Sequence, residues 1–152
     1  MNLILLLIAH SENRRLLAQL LSQHYQIILF SPEKGLEEHF DLCIVDGVAL
    51  NEYRTHLQAR INQEKPVFLP VLLLTTQQQA KRVTAGLWQI VDDLLIMPVE
   101  KIELLARIAT LLRSRQLSIE LKKARQELNT SQQELRQLKE ELDKLNQLFP
   151  DI

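Results

Sequence analysis

Five short apolar runs set the terms for what this chain can fold into: "LILLLIA" (3–9), "QIILF" (26–30), "DLCIVD" (41–46), "VLLLTT" (71–76) and "LLIM" (94–97). Each has the length of a buried strand, and each is bounded by polar or turn-forming residues such as "HSEN" and "SPEKG". Between them lie segments with helical periodicity. "SENRRLLAQLLSQHY" (11–25) offers Ser11 as an N-cap and sets Leu16, Leu17, Leu20 and Leu21 on one face. A polar helical segment follows near 50–64, and "QQQAKRVTAGLWQ" spans 77–89. Parallel strands need crossover connections, and helices that serve as crossovers cover both faces of the sheet. Five strands alternating with five helices therefore predict a doubly wound α/β sandwich.

After residue 113 glycine, aromatic and β-branched residues thin out, and Glu, Gln, Lys, Arg and Leu take over, as in a long exposed helix. Leu117, Leu121, Ala124, Leu128, Ser131, Leu135, Leu138, Leu142, Leu145 and Phe149 recur at alternating spacings of three and four, a heptad seam. With Leu121, Leu128, Leu135 and Leu142 at a, the g positions are Glu120, Glu127, Glu134 and Glu141 and the e positions Arg125, Gln132, Lys139 and Asn146. A parallel in-register dimer pairs Glu120 with Arg125 and Glu134 with Lys139 across the seam; an antiparallel pair opposes glutamates. Residues 117–149 would span about 50 Å as a helix, longer than a compact domain of this size, so a second chain must cover the seam. The charges favour a parallel homodimer, and the small Ala124 and Ser131 at d leave a trimer open.

"DLCIVD" (41–46), "PVLLLTT" (70–76) and "VDDLLIMPVEKIELLARIATLLR" (91–113), in this order, resemble the receiver domain of two-component response regulators, over roughly residues 1–113. The resemblance implies a flavodoxin-like five-stranded parallel sheet of order 2-1-3-4-5, with helix 5 extended into the coiled coil. It divides the chain into a receiver-like domain (1–113), a coiled-coil linker helix (114–149) and a tail (150–152).

It also supplies a chemical template. A working receiver holds Mg²⁺ with two acids after strand 1 and an acceptor aspartate after strand 3. A hydroxyl residue after strand 4 and a lysine before the strand 5 proline contact the phosphoryl group. All sit at the carboxyl ends of parallel strands. Asp46 matches the acceptor and Thr75 the hydroxyl, whereas Ile8 and Ala9 stand in place of the acidic pair and Met97, before Pro98, in place of the lysine. Leu94 replaces the aromatic switch residue. Mg²⁺ is bound through carboxylates and phosphate, and phosphoryl transfer depends on positioning and charge stabilisation. The resemblance is thus to a degenerate pseudo-receiver, with Asp46 an inactive phosphoacceptor position. Asp46 has two further readings, a hydrogen-bond acceptor in a pocket and, most favoured, an N-cap of the following helix. A shifted loop that brought Glu12 to Asp46 would make an atypical metal site; otherwise no cofactor or metal is expected.

The remaining features are assigned structural roles. Lys+Arg 18 against Asp+Glu 19 give a net charge of −1, which argues against nucleic acid or an anionic membrane as a partner. The single cysteine, Cys43, lies in a strand and excludes an internal disulfide, which fits a cytoplasmic setting. "LILLLIA" is too short for a signal peptide or a membrane span. His10, His24, His39 and His56 lack metal-ligand spacing, Trp88 is expected to pack at the sheet edge, and "RSR" (113–115) with "KKAR" (122–125) reads as a solvated helix face.

The function implied is a non-catalytic module of two-component signalling. It would pass a partner- or ligand-induced change through the parallel coil to an output such as a histidine kinase or diguanylate cyclase, borne on a longer chain or a separate one. The alternatives are a genuine receiver phosphorylated at Asp46 and a purely structural dimerisation scaffold.

Overall fold

The computed structural model describes residues 1–82 and 86–150; part of the segment read as the fourth helix, and the end of the 150–152 tail, lie outside the described residues. Five parallel strands form one sheet: β1 (Leu3–Leu7), β2 (Gln26–Leu29), β3 (Leu42–Asp46), β4 (Val71–Thr75) and β5 (Asp93–Ile96), in the order β2-β1-β3-β4-β5. The order agrees with the expected 2-1-3-4-5. Strands β1, β3 and β4 are almost entirely buried because both sheet faces are covered.

Alternation along each strand sends side chains into two cores. Leu5, Leu7, Cys43, Val45, Val71 and Leu73 pack with Leu50 and Leu57 of α2 (Gly47–Glu64), and with Leu36 and Phe40. Ile4, Leu6, Ile44, Leu72, Leu74 and Leu95 pack on the other face against Leu21 of α1 (Ser11–Leu21) and against Leu104, Ile108, Leu111 and Leu112 of α4 (Lys101–Leu148). A short α3 (Gln77–Ala80) and a 3₁₀ turn (Leu87–Gln89) lie between β4 and β5.

Three expectations change. The β2–β3 connection holds no helix: after Pro32 the chain turns at Gly35, whose φ of +61° ends any right-handed helical run. Four α-helices, rather than five, therefore accompany the sheet among the described residues, and the helix read as the fifth is α4. His10, not Ser11, caps α1, its Nδ1 accepting the Asn13 N–H at 3.2 Å. Trp88 is half exposed rather than packed away.

Helix α4 is continuous over 48 residues. At about 100° per residue, its buried residues Leu104, Ile108, Leu111, Leu112 and Arg115 share one stripe, and Leu117 and Leu121 fall on the side turned away from the sheet.

Candidate functional site

Parallel register gathers the carboxyl ends of the strands at one edge. Leu7 pairs with Val45, Asp46 with Leu74, and Thr75 with Ile96, so the residues after β1 flank Asp46. The Asp46 carboxylate is 8 % exposed. Its Oδ2 accepts the Ala9 N–H at 2.8 Å and the His10 N–H at 3.1 Å, and its Oδ1 accepts the Ala49 N–H at 2.9 Å. Asp46 is thus the N-cap of α2 and also a clasp on the β1–α1 loop.

The other residues compared with the template lie around the same edge. Ile8 is buried, and its carbonyl accepts from Arg14 Nη1 at 3.0 Å. Ala9 contributes only its amide to Asp46, where an acid would contribute charge. Thr75 is buried, with its hydroxyl making long contacts to the Thr76 carbonyl and Gln79 Oε1. The Met97 thioether lies 3.7 Å from Asn13 Nδ2, a soft apolar group where a lysine would stand, and Met97–Pro98 is a cis peptide. Leu94 is partly buried against the α2-side core.

The donor set does not suit the Mg²⁺ of the receiver template. Mg²⁺ demands near-octahedral oxygen ligation, and three backbone N–H groups already occupy the Asp46 oxygens. Glu12 is drawn instead to Arg15, 2.6 Å away, which holds its carboxyl below the ordinary range. Among the described residues no group of three His, Cys, Asp or Glu is placed to hold a metal.

A recess of about 280 Å³ adjoins Thr75, with Gly47, Asn51, Gln79 and Arg82 in its wall. Arg82, which sequence reading passed over, brings the cation of this recess from the segment after α3 rather than from β5. Its position in a polar stretch gave no periodic signal.

At the opposite edge the basic cluster is not wholly a solvated face. Arg115 is 4 % exposed, and its guanidinium reaches Asp41 Oδ1 (3.2 Å), Glu64 Oε1 (2.9 Å) and the Phe68 carbonyl (3.1 Å). Burial opposes the charge of Glu64, yet the Arg60 and Arg115 guanidiniums together hold its carboxyl below the ordinary value. A signal was present: Arg115 continues the buried spacing Leu104, Ile108, Leu111, so a charged residue on that stripe needed buried partners.

Beyond Arg115 the seam stands open in the single chain. Leu117, Leu121, Leu128, Leu135, Leu138, Leu142, Leu145 and Phe149 are 52–69 % exposed, and Ala124 and Ser131 are exposed with them. Cys43 is fully buried, and burial pushes its thiol up, away from reactivity. No helix among the described residues is long and apolar enough to cross a membrane.

No family model matches the chain. Over 82 residues, 53 % of this chain, it is 42 % identical to the transcriptional regulatory protein BasR of Escherichia coli (strain K12), of whose length it spans only 36 %. The structure resembles a response regulator receiver modulated diguanylate cyclase from Pelobacter carbinolicus, with a TM-score of 0.59 and 24 % identity over 79 % of this chain and 99 % of that one. It also resembles the N-terminal signal receiver domain of a two-component response regulator from Bacteroides fragilis, with a TM-score of 0.58 and 18 % identity over 74 % and 98 % of the two chains. The fold is that of response-regulator receiver domains.

Proposed function

We propose that this receiver-fold chain is a pseudo-receiver: a cytoplasmic, non-catalytic two-component module in which residues 1–113 sense a partner or ligand. Residues 114–149 then carry the response through a parallel homodimeric coiled coil, toward an output domain or protein. The observation that carries the reading is the condition of Asp46. A phosphoacceptor presents a carboxylate oxygen to metal and phosphodonor, whereas both Asp46 oxygens here accept from backbone N–H groups, so phosphorylation of either oxygen would weaken the bonds that oxygen accepts. Ile8, Ala9 and Met97 supply none of the charges that an acyl phosphate needs. The open seam supports self-association, because eight large apolar side chains on one helical stripe stay exposed among the described residues. The diguanylate cyclase named in the Pelobacter protein supports an enzyme as the kind of output such a coil reaches.

The second reading, phosphorylation at Asp46, draws on the recess shared by Thr75 and Arg82, a hydroxyl and a cation beside the acceptor position. Intact-mass measurement after exposure to acetyl phosphate and Mg²⁺ separates the two. The expected result is no adduct; a stoichiometric adduct that disappears in Asp46→Asn would establish the phosphoacceptor.

A further inference from the structure

Helix α4 leaves the domain at the amino-terminal edge of the sheet, opposite Asp46, and one turn of it is held there by three separate segments. The Arg115 guanidinium donates through Nε to Asp41 at 3.2 Å, just before β3. Through Nη2 it donates to Glu64 at 2.9 Å, at the end of α2, and through Nη1 to the Phe68 carbonyl at 3.1 Å, on the approach to β4. One turn on, Ser118 Oγ accepts the Phe68 N–H at 2.8 Å and donates to the Arg115 carbonyl at 2.7 Å. The anchors are themselves fixed. Asp41 Oδ2 accepts the Leu3 N–H at 2.8 Å, and Glu64 is held by Arg60, 2.7 Å away.

Apolar contacts under Leu104, Ile108, Leu111 and Leu112 are non-directional and would tolerate small rotations of the helix about its axis. A planar guanidinium with acceptors on three segments tolerates only one phase. A buried ion pair adds little net stability over a well-packed apolar side chain, and its attested use is to fix register. Leu117 follows two residues later, so the phase fixed at Arg115 is the phase in which the seam is presented.

We infer that Arg115 is a positioning residue that sets the rotation of α4 as it leaves the domain, and that the sheet's amino-terminal edge, rather than the Asp46 edge, is where an input controls the coil. The consequence for output rests on the coiled-coil reading, but the latch itself does not. Any partner that drew Asp41 or Glu64 away from Arg115 would leave a buried guanidinium to find new acceptors, and the helix would turn or swing to supply them.

The test is a pair of spin labels in the full chain, at Glu52→Cys on α2 and Arg136→Cys on the distal part of α4, diluted with unlabelled chain so that only intrachain distances are read. The parent should give one narrow distance distribution. Arg115→Met should at least double its width or displace its centre, Asp41→Asn with Glu64→Gln should do the same, and Arg115→Lys should restore part of the narrowness. If Arg115→Met fails to fold, Ser118→Ala, which removes the Phe68 N–H contact and the bond to the Arg115 carbonyl but leaves the guanidinium in place, carries the same expectation. An unchanged distribution in a folded variant would overturn the proposal and leave Arg115 a packing residue. Light scattering on the same samples keeps the readings apart. A monomeric parent whose distribution still broadens on Arg115→Met would remove the coiled-coil reading and support the latch.

Discussion

Three backbone N–H groups depend on the Asp46 side chain, and Asp46→Ala would strand all three. Loss of the α2 cap together with two loop acceptors should cost about 2–4 kcal/mol in urea unfolding, and Asp46→Asn, which keeps one acceptor oxygen, about half of that. An unchanged urea midpoint in both variants would mean that the carboxylate is not holding the loop. Asp46 and its cap are legible in the sequence, since a carboxylate before a helix is a local signal. The amides of Ala9 and His10 are not, because backbone donors 37 and 36 residues away leave no mark on residue identity. Asp92 offers a pH test at the same scale. Its Oδ2 accepts the Val71 N–H at 2.8 Å, and burial outweighs that bond, with Asp93 adding repulsion, to push its carboxyl up to about 6. Since this lies above the ordinary 3.8, the folded state binds the proton more tightly, and stability is lost as pH rises from about 4 through 6. Although that oxygen is sheltered over β4, the residue as a whole is exposed, and solvent screening keeps the effect below about 1 kcal/mol. Asp92→Asn should therefore be the more stable protein at pH 7.5, with the advantage shrinking toward pH 4.5; an advantage that grew on acidification would reverse the assignment.

Strands and helices were legible in proportion to their periodicity. All five strands lie where their apolar runs predict. For β1, β3 and β4 the reason is that a strand buried on both faces has no other composition open to it, while the edge strands β2 and β5 are only partly buried. The β2–β3 segment misled because its length admits a helix, while Pro32 and the left-handed Gly35 commit it to turns. Leu16 shares its helical face with Leu17, Leu20 and Leu21, but only Leu21 is fully buried; Leu16 stands half exposed at the wall of a groove between α1 and the start of α4. On α4 the two faces were separable by spacing alone, the inner stripe ending at Arg115 and the outer seam beginning at Leu117. A helix that projects into water draws most of its stability from packing of its apolar face. Leu135→Lys with Leu142→Lys places like charges at two a positions, so light scattering should report a single folded chain, and circular dichroism at 222 nm should lose helix from the distal part of α4. A mass of two chains in that variant would place the interface elsewhere.

Across the whole molecule one helix belongs to two structures at once. Its first turns give Leu104, Ile108, Leu111, Leu112 and Arg115 to the domain, and its remainder carries the seam. If the seam pairs two chains, mass action on the dimer acts on the domain too, because whatever stabilises distal α4 propagates helix into the segment the sheet packs against. Dimer stability rises by about 1.4 kcal/mol per tenfold increase in chain concentration. The chain's single tryptophan, Trp88, lies in the domain and far along the chain from the seam, so its fluorescence follows domain unfolding. The Trp88 urea midpoint should climb with chain concentration and keep step with the helical signal at 222 nm. In Leu135→Lys with Leu142→Lys the dependence should vanish and the midpoint settle at its low-concentration value. A Trp88 midpoint indifferent to concentration, beside a helical signal that moves, would mean that domain and coil unfold independently. A coil so detached could tether two domains but could not pass a change from one end of the molecule to the other.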